Sequence, residues 1–246
     1  SNHDAPIVFP GEEGAAHLHG FVGSRTTHAF STLAEMRSSA TSCPVTKDTA
    51  GYWFPLLVSP NGQALAPVQV NIYYRSPSGV AVEPFPADLR IIAGGDTLNP
   101  PQPSVVQRSL SWSCFDSGPF SVSPIDCGDR ALIAHVHFPS CVAAGETDSL
   151  NHRSHMVYAT GKSCPAGYVQ VPKVSFHIRY KVPGTDDTSY RLSSDAEGTE
   201  NGRSLHADFW NTWNQSTLAC LTERVLNQGV SAKALTNARV AALGCG

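Results

Sequence analysis

Over residues 174–181 the chain alternates strictly, with Val174, Phe176, Ile178 and Tyr180 apolar and Ser175, His177, Arg179 and Lys181 polar. Successive side chains of an extended strand point to opposite faces, so the run reads as a β-strand with one face in a core and one in water. His177 is expected on the wet face. Short strand-like runs recur at 68–74, 80–85, 89–93, 131–138, 156–159 and 169–180, each bounded by Pro, Gly or other turn residues. Many short strands with regular punctuation predict a mainly β fold, an antiparallel, jelly-roll-like β-sandwich with long loops. Residues 1–50 are polar and glycine-rich, with one helical piece over 32–38, and read as loops wrapped over that core. Only 215–226 and 232–243 carry helical spacing, with Leu218, Leu221, Val225 and Leu226 on one stripe, which predicts a C-terminal helical cap. No repeat or linker divides the 246 residues, so a single domain over 1–246 is expected.

Charged residues are sparse at 15%, and the formal net charge is −3 with no block of one sign, which argues against nucleic acid or a polybasic membrane surface as partner. No apolar run approaches the roughly 18 residues of a membrane span. The seven cysteines, Cys43, Cys114, Cys127, Cys141, Cys164, Cys220 and Cys245, contain no CxxC pair, so zinc-ribbon and thioredoxin readings fall away. Their dispersal among Gly, Pro and Ser fits loops tied by disulfides in an oxidising compartment: three bridges and one leftover thiol, pairing open, with Cys220 and Cys245 placed to pin the helical end. The chain is read as secreted and monomeric, its export signal already removed.

Ten histidines are more than such a chain needs, and most fall in clusters. His17 and His19, like His135 and His137, are spaced so that an extended segment turns both rings to one side. His152 and His155 have the spacing of one tight turn. His206 and Asp208 have the make-up of a carboxylate-oriented imidazole. His3, His28 and His177 read as incidental, while His135 and His137 are divided between structure and function.

Several of these residues lie in segments that resemble the secreted fungal and actinobacterial family DUF1996. They are Pro6-Ile7-Val8 with Gly11 and the run from His17 to Gly23, Gly51-Tyr52-Trp53-Phe54-Pro55, and Leu89 to Gly94. Phe138-Pro139-Ser140-Cys141, Asn151 to Tyr158, Cys164-Pro165 with Val171-Pro172, and His206-Ala207-Asp208-Phe209 with Trp213 complete the set. The resemblance spans nearly the whole chain. It implies an extracellular location and a shared polar site, and similar proteins sometimes carry carbohydrate-binding modules, but it implies no reaction.

Two classes of chemistry fit the clusters. The first is cleavage of an extracellular or cell-wall polysaccharide, with no cofactor required. Hydrolysis uses two carboxyl groups, for which Asp208 and Asp96 are the candidates with Asp148 behind them. β-Elimination uses a group that neutralises a uronate, a base and an acid, and Asn151, His152, Arg153 and Tyr158 supply that set within eight residues. On this reading His152, His155, His206, Asp208, Asp96 and Tyr158 are catalytic, and Tyr52, Trp53, Asn151, Arg153 and Trp210 bind the glycan. The second is a zinc or copper site built from His17 and His19 with His152 and His155, and with His206 as a further ligand. A non-catalytic glycan-binding module is the third reading. A serine triad is disfavoured because no GxSxG elbow occurs.

Overall fold

The expected alternating strand forms over Lys173–Tyr180, and the residues around it assemble as strands in antiparallel sheets in the computed structural model. The structure describes residues 1–77, 79–95, 109–182, 187–197, 201–230 and 234–246. In chain order the strands are β1 His19–Gly23, β2 Gly51–Pro55, β3 Leu57–Val58, β4 Ala64–Leu65, β5 Gln69–Arg75, β6 Arg90–Gly94 and β7 Leu110–Ser113. They continue as β8 Leu132–His137, β9 Cys141–Ala143, β10 Met156–Val157, β11 Tyr168–Gln170, β12 Lys173–Tyr180, β13 Arg191–Leu192 and β14 His206–Trp210. Two four-stranded sheets, ordered β1-β2-β14-β6 and β5-β12-β8-β7, carry the fold, and two three-stranded sheets, β10-β9-β11 and β13-β3-β4, flank them.

The two larger sheets bury their inner faces against each other. Tyr52, Phe54, Ile91, Ala93, Ala207 and Phe209 from one meet Trp112, Ala134, Val136, Val174, Phe176 and Ile178 from the other in one continuous core. Aromatic rings bridge the layers, with Tyr52 stacked on Phe209 at 5.5 Å and edge-on to Phe176 at 5.7 Å. Two expected strands differ. The 80–85 run is not assigned as strand, because Pro84 and Pro86 cannot donate to a ladder. It is held instead by Glu83 N–H donating to the Gln170 carbonyl and by Asn227, which accepts from Val82 N–H and donates to its carbonyl. Pro172 divides the 169–180 run into β11 and β12.

The N-terminal fifty residues cover the outer face of the first sheet. Ile7, Met36, Trp53, Ile92 and Trp210 form a small separate core there, joined by Phe21 and Leu33. Helix α1, Leu33–Ser38, delivers Met36 to it and starts at Thr32, whose hydroxyl accepts from Glu35 N–H. Fully buried Ile7 and Met36 contribute about 1.5–3 kcal/mol each to holding this cover, and Met36→Ala would loosen it. The chain ends in α2, Gln215–Leu221, capped by Asn214, then a π-helical stretch Thr222–Leu226, and α3, Asn237–Ala242, capped by Thr236. Disulfides join Cys114 to Cys127, Cys141 to Cys164 and Cys220 to Cys245, leaving Cys43 as the free thiol. No described helix is long and apolar enough to cross a membrane.

Candidate metal centre

Strand register explains how histidines from opposite ends of the chain meet. His19 pairs with Pro55 across β1 and β2, and Asp208 pairs with Trp53 across β14 and β2. Extending the second register by two residues places His206 beside Pro55, so His19 and His206 flank one proline on the outer face of the sheet. His17, two residues before His19 on extended chain, turns its ring the same way, and the two centroids lie 4.1 Å apart. His206 stands edge-on to both, at 4.9 Å from His17 and 5.8 Å from His19. One ring nitrogen from each of the three lies within 4.8 Å of the other two.

Hydrogen bonds orient these rings. His19 Nδ1 lies 2.9 Å from the Asp4 carbonyl and His206 Nδ1 lies 2.8 Å from the Ser204 carbonyl. A carbonyl only accepts, so each Nδ1 carries the proton and each Nε2 presents a lone pair. The Nε2 atoms of His17 and His19 are buried and have no hydrogen-bond partner. Burial is the larger cause that holds all three rings neutral, followed by repulsion from His3 at His17, from His17 and His206 at His19, and from His17 at His206: His17 is lowered to about 4, His206 to about 3, and His19 well below its ordinary value. Gly95 makes room for His206. Its φ is +72°, and a Cβ there would stand 2.7 Å from His206 Cγ.

Asp208 is buried beside the cluster, its unpartnered Oδ2 3.9 Å from His206 Nε2. Burial raises its carboxyl to about 8, against the lowering influence of Arg153. Arg153 is the member of the 151–158 segment that bears on this cluster, and its Nη2 donates to the Gly94 carbonyl at 2.9 Å. Three convergent neutral imidazoles, two of them with orphaned Nε2 atoms, and a carboxyl alongside form a set suited to a transition-metal ion.

The remaining expected site residues do not gather here. His152, at φ +56°, turns Nδ1 to Asp148 at 2.8 Å, and His155 turns Nδ1 to Ser149 at 2.9 Å, so neither joins the His17–His19–His206 cluster. The Asn151 side chain accepts from the N–H groups of Arg153 and Ser154 and so shapes its own turn. Tyr158 does not face His152 as an acid: its hydroxyl donates to the His137 carbonyl at 2.9 Å, and burial pushes it up to about 12. Tyr52, Trp53 and Trp210 are not a stacking platform, being at most 1% exposed. Tyr52 donates to buried Asp48, and Trp210 Nε1 donates to Asp88 at 2.6 Å under the Arg90 guanidinium. Asp96 lies outside the described residues. The sequence offers His206 both as a partner of Asp208 and as a further ligand beside His17 and His19; the structure brings it to those two and leaves His152 and His155 outside the cluster.

Fold and site together define a mainly β protein with a buried three-histidine cluster on the outer face of one sheet. The chain belongs to the family described as Domain of unknown function (DUF1996), whose match covers residues 5–213. That span contains all three histidines and Asp208 and stops before α2. Comparison with curated proteins and with solved structures yields no match.

Proposed function

We propose that this is a secreted transition-metal protein in which His17, His19 and His206 bind one zinc or copper ion. The convergence of three neutral imidazoles within 4.8 Å, two of them oriented by backbone carbonyls, carries this reading. Leaving buried imidazole nitrogens without partners costs free energy, and a bound cation would offset that cost. Three protein ligands leave a coordination position for water or substrate, the arrangement of catalytic rather than closed structural sites. Asp208 stands where it can hold or accept a proton beside that position, and Arg153 supplies a fixed positive charge. A bound ion would supply Lewis-acid or redox chemistry there. Three disulfides agree with an extracellular setting.

Polysaccharide cleavage by two carboxyl groups has less support, because the charged neighbour that bears on Asp208 among the described residues is Arg153 and not a second acid. A metal-assisted attack on an extracellular polymer is compatible with the centre. Elemental analysis of protein purified without chelators, followed by zinc and copper titration, tests the reading. Near one equivalent of either ion, lost in His206→Ala with the fold retained, is expected. Wild-type protein that holds neither ion after titration would sink it.

A further inference from the structure

The outer face of the other large sheet carries a second polar group, on the side of the sandwich away from the three-histidine centre. On β8, His135 and His137 point out of the core; on β12, Lys173, Ser175, His177 and Arg179 do so; on β5, Asn71, Tyr73 and Arg75. His177 was expected in water but is 5% exposed, its ring 4.4 Å from that of His135 and 4.8 Å from that of Tyr73. The loop closed by the Cys114–Cys127 disulfide explains this burial, because Asp116 reaches from it to His177 Nδ1 and to Arg179, and Phe120 sets its ring edge-on to His135. Beyond the loop, the β5–β12 edge of the face is more open.

Two features of this face lack a structural reason. Lys173 and Arg75 are register partners on adjacent strands, and like charges placed directly opposite are destabilising. Neither has an acidic partner among the described residues, and Lys173 is lowered by its own partial burial and by Arg75. In addition, His135 Nδ1 and Ser111 Oγ, both on fully or nearly fully buried side chains of neighbouring strands, have no hydrogen-bond partner. The orphaned pair is sealed within the sheet, whereas two cations held side by side without an acidic partner on the open edge fit an anionic partner.

We propose that this face binds an acidic polysaccharide, with uronate carboxylates bridging Arg75 and Lys173 and sugar hydroxyls meeting His137, Asn71 and Tyr73. Along the edge strand β5, from Gln69 to Arg75, the face runs about 20 Å, which matches a linear polymer better than a compact anion. Arg75 lies 5.1 Å over the Tyr73 ring and presents a flat, charged surface to a sugar plane. Nucleic acid fits less well, since salt-dependent phosphate binding draws on a wider field of cations than a chain of net charge −3 offers here.

Affinity electrophoresis and calorimetry of the full chain with polygalacturonate, alginate, a neutral glucan and single-stranded DNA test this. Retention by at least one acidic glycan at low salt is expected, weakened by added salt, with no retention by the neutral glucan. Arg75→Gln/Lys173→Gln, which alters only side chains that are not fully buried and relieves their mutual repulsion, should reduce the affinity at least tenfold without lowering the melting midpoint. Glycan affinity should be the same before and after treatment with a chelator, so this result stands apart from the fate of the metal centre. No retention by either acidic glycan, equal affinity for DNA, or an unaffected double variant would overturn the proposal.

Discussion

Asp208 and His206 project from the same face of β14, and Oδ2 of one lies 3.9 Å from Nε2 of the other. The carboxyl is thus close enough to steer what approaches that nitrogen, but too far to hydrogen-bond it in this state. An orienting neighbour of a metal ligand is expected to matter less than the ligand itself. Asp208→Asn should weaken zinc or copper binding by about 10–100-fold, whereas His206→Ala should abolish it. Competition against a chromogenic chelator measures both, and equal affinities in wild type and Asp208→Asn would remove Asp208 from the centre.

Gly95 tests the same geometry from the backbone side. In Gly95→Ala the new Cβ meets the His206 ring at 2.7 Å, in a backbone conformation that disfavours any side chain. A loss of roughly 1–3 kcal/mol in stability and a weaker metal site are expected together. Denaturant melts and metal titration report the two effects, and an unchanged metal affinity would show that the ring moves freely.

Acid sensitivity should arise at the three-histidine cluster and, separably, on the opposite sheet. Burial, the leading cause for both, holds His135 near 4 and His137 near 3, against an ordinary 6.5, with His177 and Lys173 as the respective next causes. Between 6.5 and those values the unfolded chain binds the extra protons, so stability present above 6.5 is lost as pH falls through that window. His135→Gln/His137→Gln should flatten the decline of unfolding free energy between pH 7 and 4.5. Parallel pH profiles in variant and wild type would contradict this.

Tyr52 donates to Asp48 at 2.8 Å and also meets the Tyr74 hydroxyl and Trp213 Nε1. Burial raises the Asp48 carboxyl to about 7 despite that hydrogen bond. Because the folded form holds this proton more tightly than the unfolded chain, the group favours folding at low pH, and that advantage is lost as pH rises through about 7. Removing the donor in Tyr52→Phe strengthens the proton's hold. The variant should lose about 1–3 kcal/mol, more at pH 8 than at pH 5.5. A loss that does not grow with pH would dissociate Tyr52 from the Asp48 charge.

What the sequence disclosed follows the range of the interactions. The alternation in β12 is local and predicts which residues face the core. It does not disclose that the loop carrying Asp116 and Phe120 closes over the other face, which is why His177 is buried and not wet. His17 and His19 converge because two residues of extended chain suffice. Their meeting with His206 depends on β14 docking against β2, a pairing no local pattern encodes. Tyr52, Trp53 and Trp210 illustrate the same limit: aromatic residues signal burial and recognition equally until the sheets are stacked. The His152 to Tyr158 segment was compact in sequence but disperses because its turn sends successive side chains to Asp148, Gly94, Ser149 and His137.

The three-histidine cluster joins His17 and His19, near the start of the described chain, to His206 on the last strand. A cross-link between His19 and His206 encloses a segment of 206 − 19 = 187 residues, and closing so long a loop removes far more freedom from the unfolded chain than from the folded one. An ion bound there, as proposed, would act as a topological clasp, tying the N-terminal cover to the last strand of its sheet. The segment from Ser1 to Gly23 would be the first to peel away when that clasp is opened, exposing Trp53 and Trp210 to solvent.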